Sequence, residues 1–110
     1  MTTLVEVGAA SEIPPGTIRG VEFGDRRFIV VNVEGDFFAL DGICTHAYAE
    51  LGMGFLAADR VICPIHLSQF DARSGEALSP PAELPLRTYP TLLRDGKVFV
   101  VVEAEPAKKD

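Results

Sequence analysis

The stretch Arg26-Arg27-Phe28-Ile29-Val30-Val31-Asn32-Val33, then Glu34-Gly35-Asp36, then Phe37-Phe38-Ala39-Leu40, decides the fold class. β-Branched and aromatic residues dominate it, and such side chains suit a pleated, packed strand. Phe28, Ile29, Val30, Val31 and Val33 read as one buried strand, and Glu34-Gly35-Asp36 turns the chain into its partner. The joint reading is a β-hairpin. Upstream, Gly24-Asp25 is a tight turn into a strand over 17–23, with Ile18, Val21 and Phe23 as candidate core residues. Residues 3–7 predict a first strand, and 11–16 a loop, because Pro14 and Pro15 cannot continue a ladder.

Downstream, residues 41–85 have shorter apolar runs and more Gly, Pro, Ala and Ser. Short strands are expected at 60–63 and 68–72, with a turn over 73–76 leading to Ala77 and Leu78. The core pattern resumes after Pro85, with strands over 86–89, 91–94 and 97–103 and an Asp95-Gly96 hairpin turn. Residues 104–110 are a charged tail. Strands at this spacing predict an all-β chain: one domain, 1–110, with an antiparallel β-sandwich or barrel base (about 3–41 and 86–103). A loop-built subdomain, about 42–85, is inserted in that base.

Composition sets the class of function. The 110 residues carry 10 Lys plus Arg against 16 Asp plus Glu, a formal charge of −6, and are 47% apolar. That suits one globular domain and not a disordered chain. Net acidity argues against nucleic acid, whose phosphates call for clustered Lys and Arg. The longest apolar run, Val98 to Val102, is far short of the roughly 20 residues that cross a bilayer. The first residues lack the basic start and apolar run of a secretory signal, so a cytoplasmic chain without membrane attachment is expected.

Only two cysteines and two histidines occur, in two boxes: Cys44-Thr45-His46 and Cys63-Pro64-Ile65-His66, separated by 16 residues. A disulfide is the weaker reading for a cytoplasmic chain. Thiolate and imidazole together suit zinc, copper or iron–sulfur clusters. A zinc ion chelated by both members of a pair usually has two or more residues between them, and Cys44 and His46 have one. Dividing each box between two neighbouring metals relieves that crowding, one iron taking both thiolates and the other both imidazoles. A zinc-stabilised binding module is the alternative from a different class.

That division is the ligation of a Rieske 2Fe–2S centre. The sequence resembles the Rieske family beyond the four ligands. Cys44-Thr45-His46-Ala47 is followed by Leu51-Gly52-Met53-Gly54-Phe55-Leu56, and Cys63-Pro64-Ile65-His66 by Phe70-Asp71 and Ser74-Gly75-Glu76-Ala77-Leu78. Pro80-Pro81 stands where the family has a proline loop over the cluster. Length and the lack of an anchor look most like the ferredoxin components of aromatic-ring-hydroxylating dioxygenase systems. The resemblance implies one 2Fe–2S cluster held by Cys44, His46, Cys63 and His66, and a monomeric electron carrier. Its implied donor is a flavin-dependent NAD(P)H reductase, and its acceptor the Rieske centre of a terminal oxygenase. The small subunit of another redox enzyme, such as nitrite reductase, is the second reading.

Departures from the family refine this. Respiratory relatives brace the cluster with a disulfide between positions matching Ala49 and Ile65, and no such bridge can form here. Their tyrosine hydroxyl near a ligand sulfur is replaced by Phe70, whereas Ser68 keeps a second donor position. Losing one donor implies a potential toward the low end of the family span of about −150 to +300 mV. Tyr48 and Leu67 stand where many relatives have glycine; a positive φ there would strain them, and an apolar rim for partner docking would account for them. Glu50, Asp59 and Asp71 are acidic residues that could steer a basic partner. No glycine fingerprint for NAD or flavin is present. A mononuclear oxygenase iron would need two further histidines, and none remain. The expected chain is a carrier rather than an enzyme.

Overall fold

The computed structural model describes residues 2–44, 49–65, 67–80 and 84–103. Among them the strands run in order β1 (Thr2–Ala9), β2 (Ile18–Phe23), β3 (Arg26–Val33), β4 (Asp36–Asp41), β5 (Phe55–Ala57), β6 (Arg60–Ile62), β7 (Gln69–Asp71), β8 (Thr88–Tyr89), β9 (Thr91–Arg94) and β10 (Lys97–Glu103). Two single 3-10 turns, Ala10–Glu12 and Leu51–Met53, are the helical segments among the described residues. None is long and apolar enough to cross a membrane. All pairings are antiparallel, in three sheets ordered β1-β10-β9, β2-β3-β4-β8 and β5-β6-β7. The expected all-β class is what folds.

The unbroken apolar run in β3 has a structural cause: both faces of the strand are covered. Phe28 and Val30 point into a core with Val5, Ile13, Ala39, Val98, Val100 and Val102, between the first two sheets. Ile29, Val31 and Val33 point the other way, into a second core with Leu40, Cys44, Leu51, Val61, Cys63, Phe70 and Leu86. Full burial of such side chains is worth about 1.5–3 kcal/mol each, so this strand anchors both layers. Its buried polar residue, Asn32, is 4% exposed yet satisfied. Its Nδ2 donates to the Ile13 carbonyl (2.7 Å), and its Oδ1 accepts from the Gly35 N–H (2.7 Å). The β3–β4 and β9–β10 hairpins turn on Glu34-Gly35 and Asp95-Gly96, all four at positive φ as two-residue hairpins require.

Three local expectations are corrected. Phe23 is 40% exposed, because it closes edge strand β2 at the turn; Ile18 and Val21 pack on opposite cores. The strand expected over 86–89 is only Thr88–Tyr89. Leu86 is drawn into the second core, and its N–H bonds the Gly75 carbonyl (2.7 Å) rather than a ladder. Strand β5, three residues long, lies inside what reads as loop, being too short for a period to show.

A polar clasp ties β4 to β8 across the point where the 42–85 segment leaves and returns. The Tyr89 hydroxyl donates to Asp41 Oδ1 (2.6 Å), and the Arg26 guanidinium donates to the Tyr89 oxygen (3.1 Å). The Tyr89 ring meets Phe28 edge-on at 4.8 Å. Burial, then the Asp41 carboxylate beside it, raises the Tyr89 pKa above 10.0, with Arg26 opposing. The fold therefore holds the neutral phenol. Its contribution is complete below pH 10.0 and is lost as pH rises through the higher folded value. Tyr89→Phe is expected to cost about 1 kcal/mol at neutral pH and to flatten this alkaline loss. Urea unfolding of both proteins across neutral to alkaline pH measures the difference.

Candidate metal centre

Cys44 and Cys63 sit at necks built in the same way. After β4, the Gly42 N–H bonds the Arg27 carbonyl (2.9 Å), which holds Gly42 against β3, and the Leu51 N–H bonds the Gly42 carbonyl (2.7 Å). Ile43 bridges Glu50, and the Cys44 N–H donates to the Ala49 carbonyl (2.9 Å). On the β6–β7 hairpin Ile62 pairs with Gln69, and the Cys63 N–H donates to the Ser68 carbonyl (2.8 Å). Each cysteine thus donates its N–H to the carbonyl of the residue five positions on.

Cys44 is 4% and Cys63 1% exposed, both in the second core. Neither is in a disulfide. The structure therefore brings the two thiols, 19 positions apart, into one packed group with Leu51, Phe70 and Leu86. His46, His66, Tyr48 and Pro81 lie outside the described residues. Ala49 is buried and Ile65 is 54% exposed, at the positions where respiratory relatives carry bridging cysteines.

Ser68 tests whether a sulfur-rich group fits. Its side chain is fully buried, and its Oγ has no hydrogen-bond partner among the described residues. A buried hydroxyl left unpaired costs about 1–3 kcal/mol, so it calls for an acceptor. Phe70, two residues on, is fully buried and carries no hydroxyl. Two buried thiols and an unpaired donor beside one of them fit an iron–sulfur group whose sulfurs accept hydrogen bonds.

The surrounding residues hold the loops in place. Asp71 Oδ1 accepts from the Arg73 and Ser74 N–H groups (2.8 and 3.1 Å), and Asp59 pairs with Arg73 (3.1 Å). Those two acids are thus engaged in the fold, whereas Glu50 is exposed and lines a shallow hollow with Ala49, Met53, Pro64 and Ile65. Two further features of this region are set by the fold. Gly54 packs so closely that a Cβ would meet the Ile62 carbonyl, which pins the 3-10 turn after the first loop onto β6. Met53 is 77% exposed on the loop side. Neither a close backbone approach nor a side chain's exposure has a local sequence signal.

A family model for the Rieske 2Fe-2S domain matches residues 3–90. The chain belongs to the Rieske family. Its cofactor is one Rieske-type 2Fe–2S cluster, which sets aside the zinc-stabilised module. This Rieske chain is 37% identical over 108 residues to the ferredoxin component of a p-cumate 2,3-dioxygenase system from Pseudomonas putida, covering 96% of this chain and 92% of that one. It is 36% identical to the 3-phenylpropionate/cinnamic acid dioxygenase ferredoxin subunit of Photorhabdus laumondii, over 90% of this chain and 94% of that one. Among solved structures, a chain from the complex of reduced oxygenase and oxidised ferredoxin in carbazole 1,9a-dioxygenase superposes with a TM-score of 0.87 at 35% identity, covering 94% and 96% of the two chains. The Rieske chain is an electron carrier of the ferredoxin-component type, not a catalytic subunit.

Proposed function

We propose that this Rieske chain is the cytoplasmic, monomeric shuttle of an aromatic-ring-hydroxylating dioxygenase system. It takes single electrons from a flavin-dependent NAD(P)H reductase and passes them to the Rieske centre of a terminal oxygenase. Cys44 and Cys63 hold one iron and His46 and His66 the other, within the segment 42–85 that is inserted between the 3–41 and 86–103 parts of the base. One observation carries the reading: two buried cysteines, without a disulfide, sit in one core at the necks of the two boxes.

When bound, the cluster supplies storage for one electron. The chain's own residues shape that site. The necks at Cys44 and Cys63 would fix where each thiolate enters, Leu51, Phe70 and Leu86 would keep water from the bound group, and Ser68 Oγ would be a donor available to it. Replacing two thiolates with neutral imidazoles makes the oxidised centre neutral, which eases electron entry compared with a four-cysteine cluster. Phe70 in place of a hydroxyl donor sets the potential toward the low end of the family span.

The test is anaerobic absorption and EPR before and after dithionite, followed by reconstitution. A coloured protein that gains a Rieske-type EPR signal on reduction is expected. Hydroxylated aromatic product should form from the aromatic substrate, dioxygen, NADH, reductase and oxygenase only when this chain is added. A colourless protein, or turnover that does not depend on the chain, overturns the proposal.

A further inference from the structure

Four described residues other than glycine have positive φ: Glu34, Ala58, Leu67 and Asp95. Three of them occupy two-residue hairpin turns, at β3–β4, β5–β6 and β9–β10, where the strands' twist demands that conformation. Leu67 does not. It lies inside the second loop, between His66 and Ser68, at φ +59°, where the Cβ of an L-residue crowds the following carbonyl and glycine would be free of strain. Its side chain does not offset that strain by burial, for it is 60% exposed. The position therefore combines backbone strain, which opposes stability, with an apolar group whose exposure returns little of the burial that would offset it.

Other exposed apolar side chains lie on the same loop and on the turn after the first one. Ile65, two residues earlier, is 54% exposed, and it lines the shallow hollow with Met53, which is 77% exposed. Glu50 stands in that hollow, on a chain of net charge −6. Exposed apolar side chains on the second loop, with an exposed carboxylate on an acidic chain, are complementary to a protein face that has an apolar recess bordered by Lys or Arg.

We propose that Leu67 is a specificity-determining residue for electron delivery, seating its strained side chain in an apolar, basic-rimmed recess of the terminal oxygenase. The inference rests on the shuttle reading above. Contact with the oxygenase supplies the burial that the fold itself withholds, so the strained leucine is explained by the complex rather than by the free chain.

The experiment uses cluster-loaded wild type, Leu67→Gly and Leu67→Met. The probes are purified terminal oxygenases of the p-cumate, 3-phenylpropionate and carbazole types, taking whichever accepts electrons from the wild type. Oxidation of the reduced chain by excess oxygenase is followed by stopped flow, alongside the EPR spectrum, midpoint potential and thermal midpoint of each variant. Leu67→Gly should slow delivery about tenfold at unchanged potential, with a thermal midpoint level with or above wild type, and Leu67→Met should restore most of the rate. Unchanged delivery by Leu67→Gly, or a lowered thermal midpoint, overturns the inference while leaving the shuttle reading in place. A loss confined to reduction by the flavoprotein reductase overturns the choice of the oxygenase as occupant. Failure of the wild type to reduce any of the oxygenases overturns the shuttle reading, and the inference with it.

Discussion

Cys63→Ser is expected to yield a colourless protein that retains strand structure but holds almost no iron. Serine is close to isosteric, so the packing of the second core around position 63, with Phe70 and Leu86, is nearly kept. The Cys63 N–H bond to the Ser68 carbonyl is a backbone bond and survives the change. What is lost is the thiolate, the form that binds metal, because a serine hydroxyl does not ionise at neutral pH. The buried hydroxyl would also need a partner, which adds about 1–3 kcal/mol of destabilisation. Because metal bound to the native state contributes to folding free energy, the variant should also unfold at lower denaturant than the loaded protein. Iron analysis, visible absorption and the reduced-state EPR signal report ligation, and far-UV circular dichroism reports the fold. A Cys63→Ser protein that still holds two irons would remove Cys63 from the ligand set.

The second large effect is expected from Gly75→Ala. Gly75 has φ +79°, and its backbone is pressed against the chain returning to β8. Its N–H donates to the Asp71 carbonyl (2.8 Å), and its own carbonyl accepts from the Leu86 N–H (2.7 Å). A Cβ there would run into the Leu86 carbonyl, an atom that cannot swing aside as a flexible side-chain end can. Strain from the left-handed backbone costs about 1–2 kcal/mol, and the clash adds about 1–3 kcal/mol. The sum is a large share of the roughly 5–15 kcal/mol that stabilises a domain. Gly96→Ala separates the two terms. Gly96 has φ +76° and nothing within 4 Å of its Cβ position, so only the backbone strain should appear there. Urea midpoints of the two variants measure the difference. Equal midpoints would show that the Gly75–Leu86 contact yields readily.

The ease of reading differed from element to element for physical reasons. β3 and β10 are rich in β-branched residues, and the turns at Glu34-Gly35 and Asp95-Gly96 are short, so local composition marks both hairpins. β5 and β8 have three and two residues, too few to show a period, and their pairing depends on partners elsewhere in the chain. Phe23 looks like a core residue because it continues an apolar pattern. Only its place at the end of an edge strand leaves it at the surface. The two boxes stood out because every Cys and His of the chain falls in them and the spacing suits two metals better than one.

Residue identity and short-range spacing thus determined the all-β class, the net acidity and the family with its Rieske-type cluster, since each depends on composition or on neighbours a few positions apart. Tertiary structure decided what depends on distant segments meeting. It covers β3 on both faces, which turns one apolar run into the wall between two cores. It brings Cys44 and Cys63 into one of those cores, and it buries the hydroxyl of Ser68, whose carbonyl accepts from the Cys63 N–H, with no partner among the described residues. It holds Leu67 strained and exposed in the second loop. No window of sequence contains both sides of such contacts, and close packing fixes them only once the chain has folded.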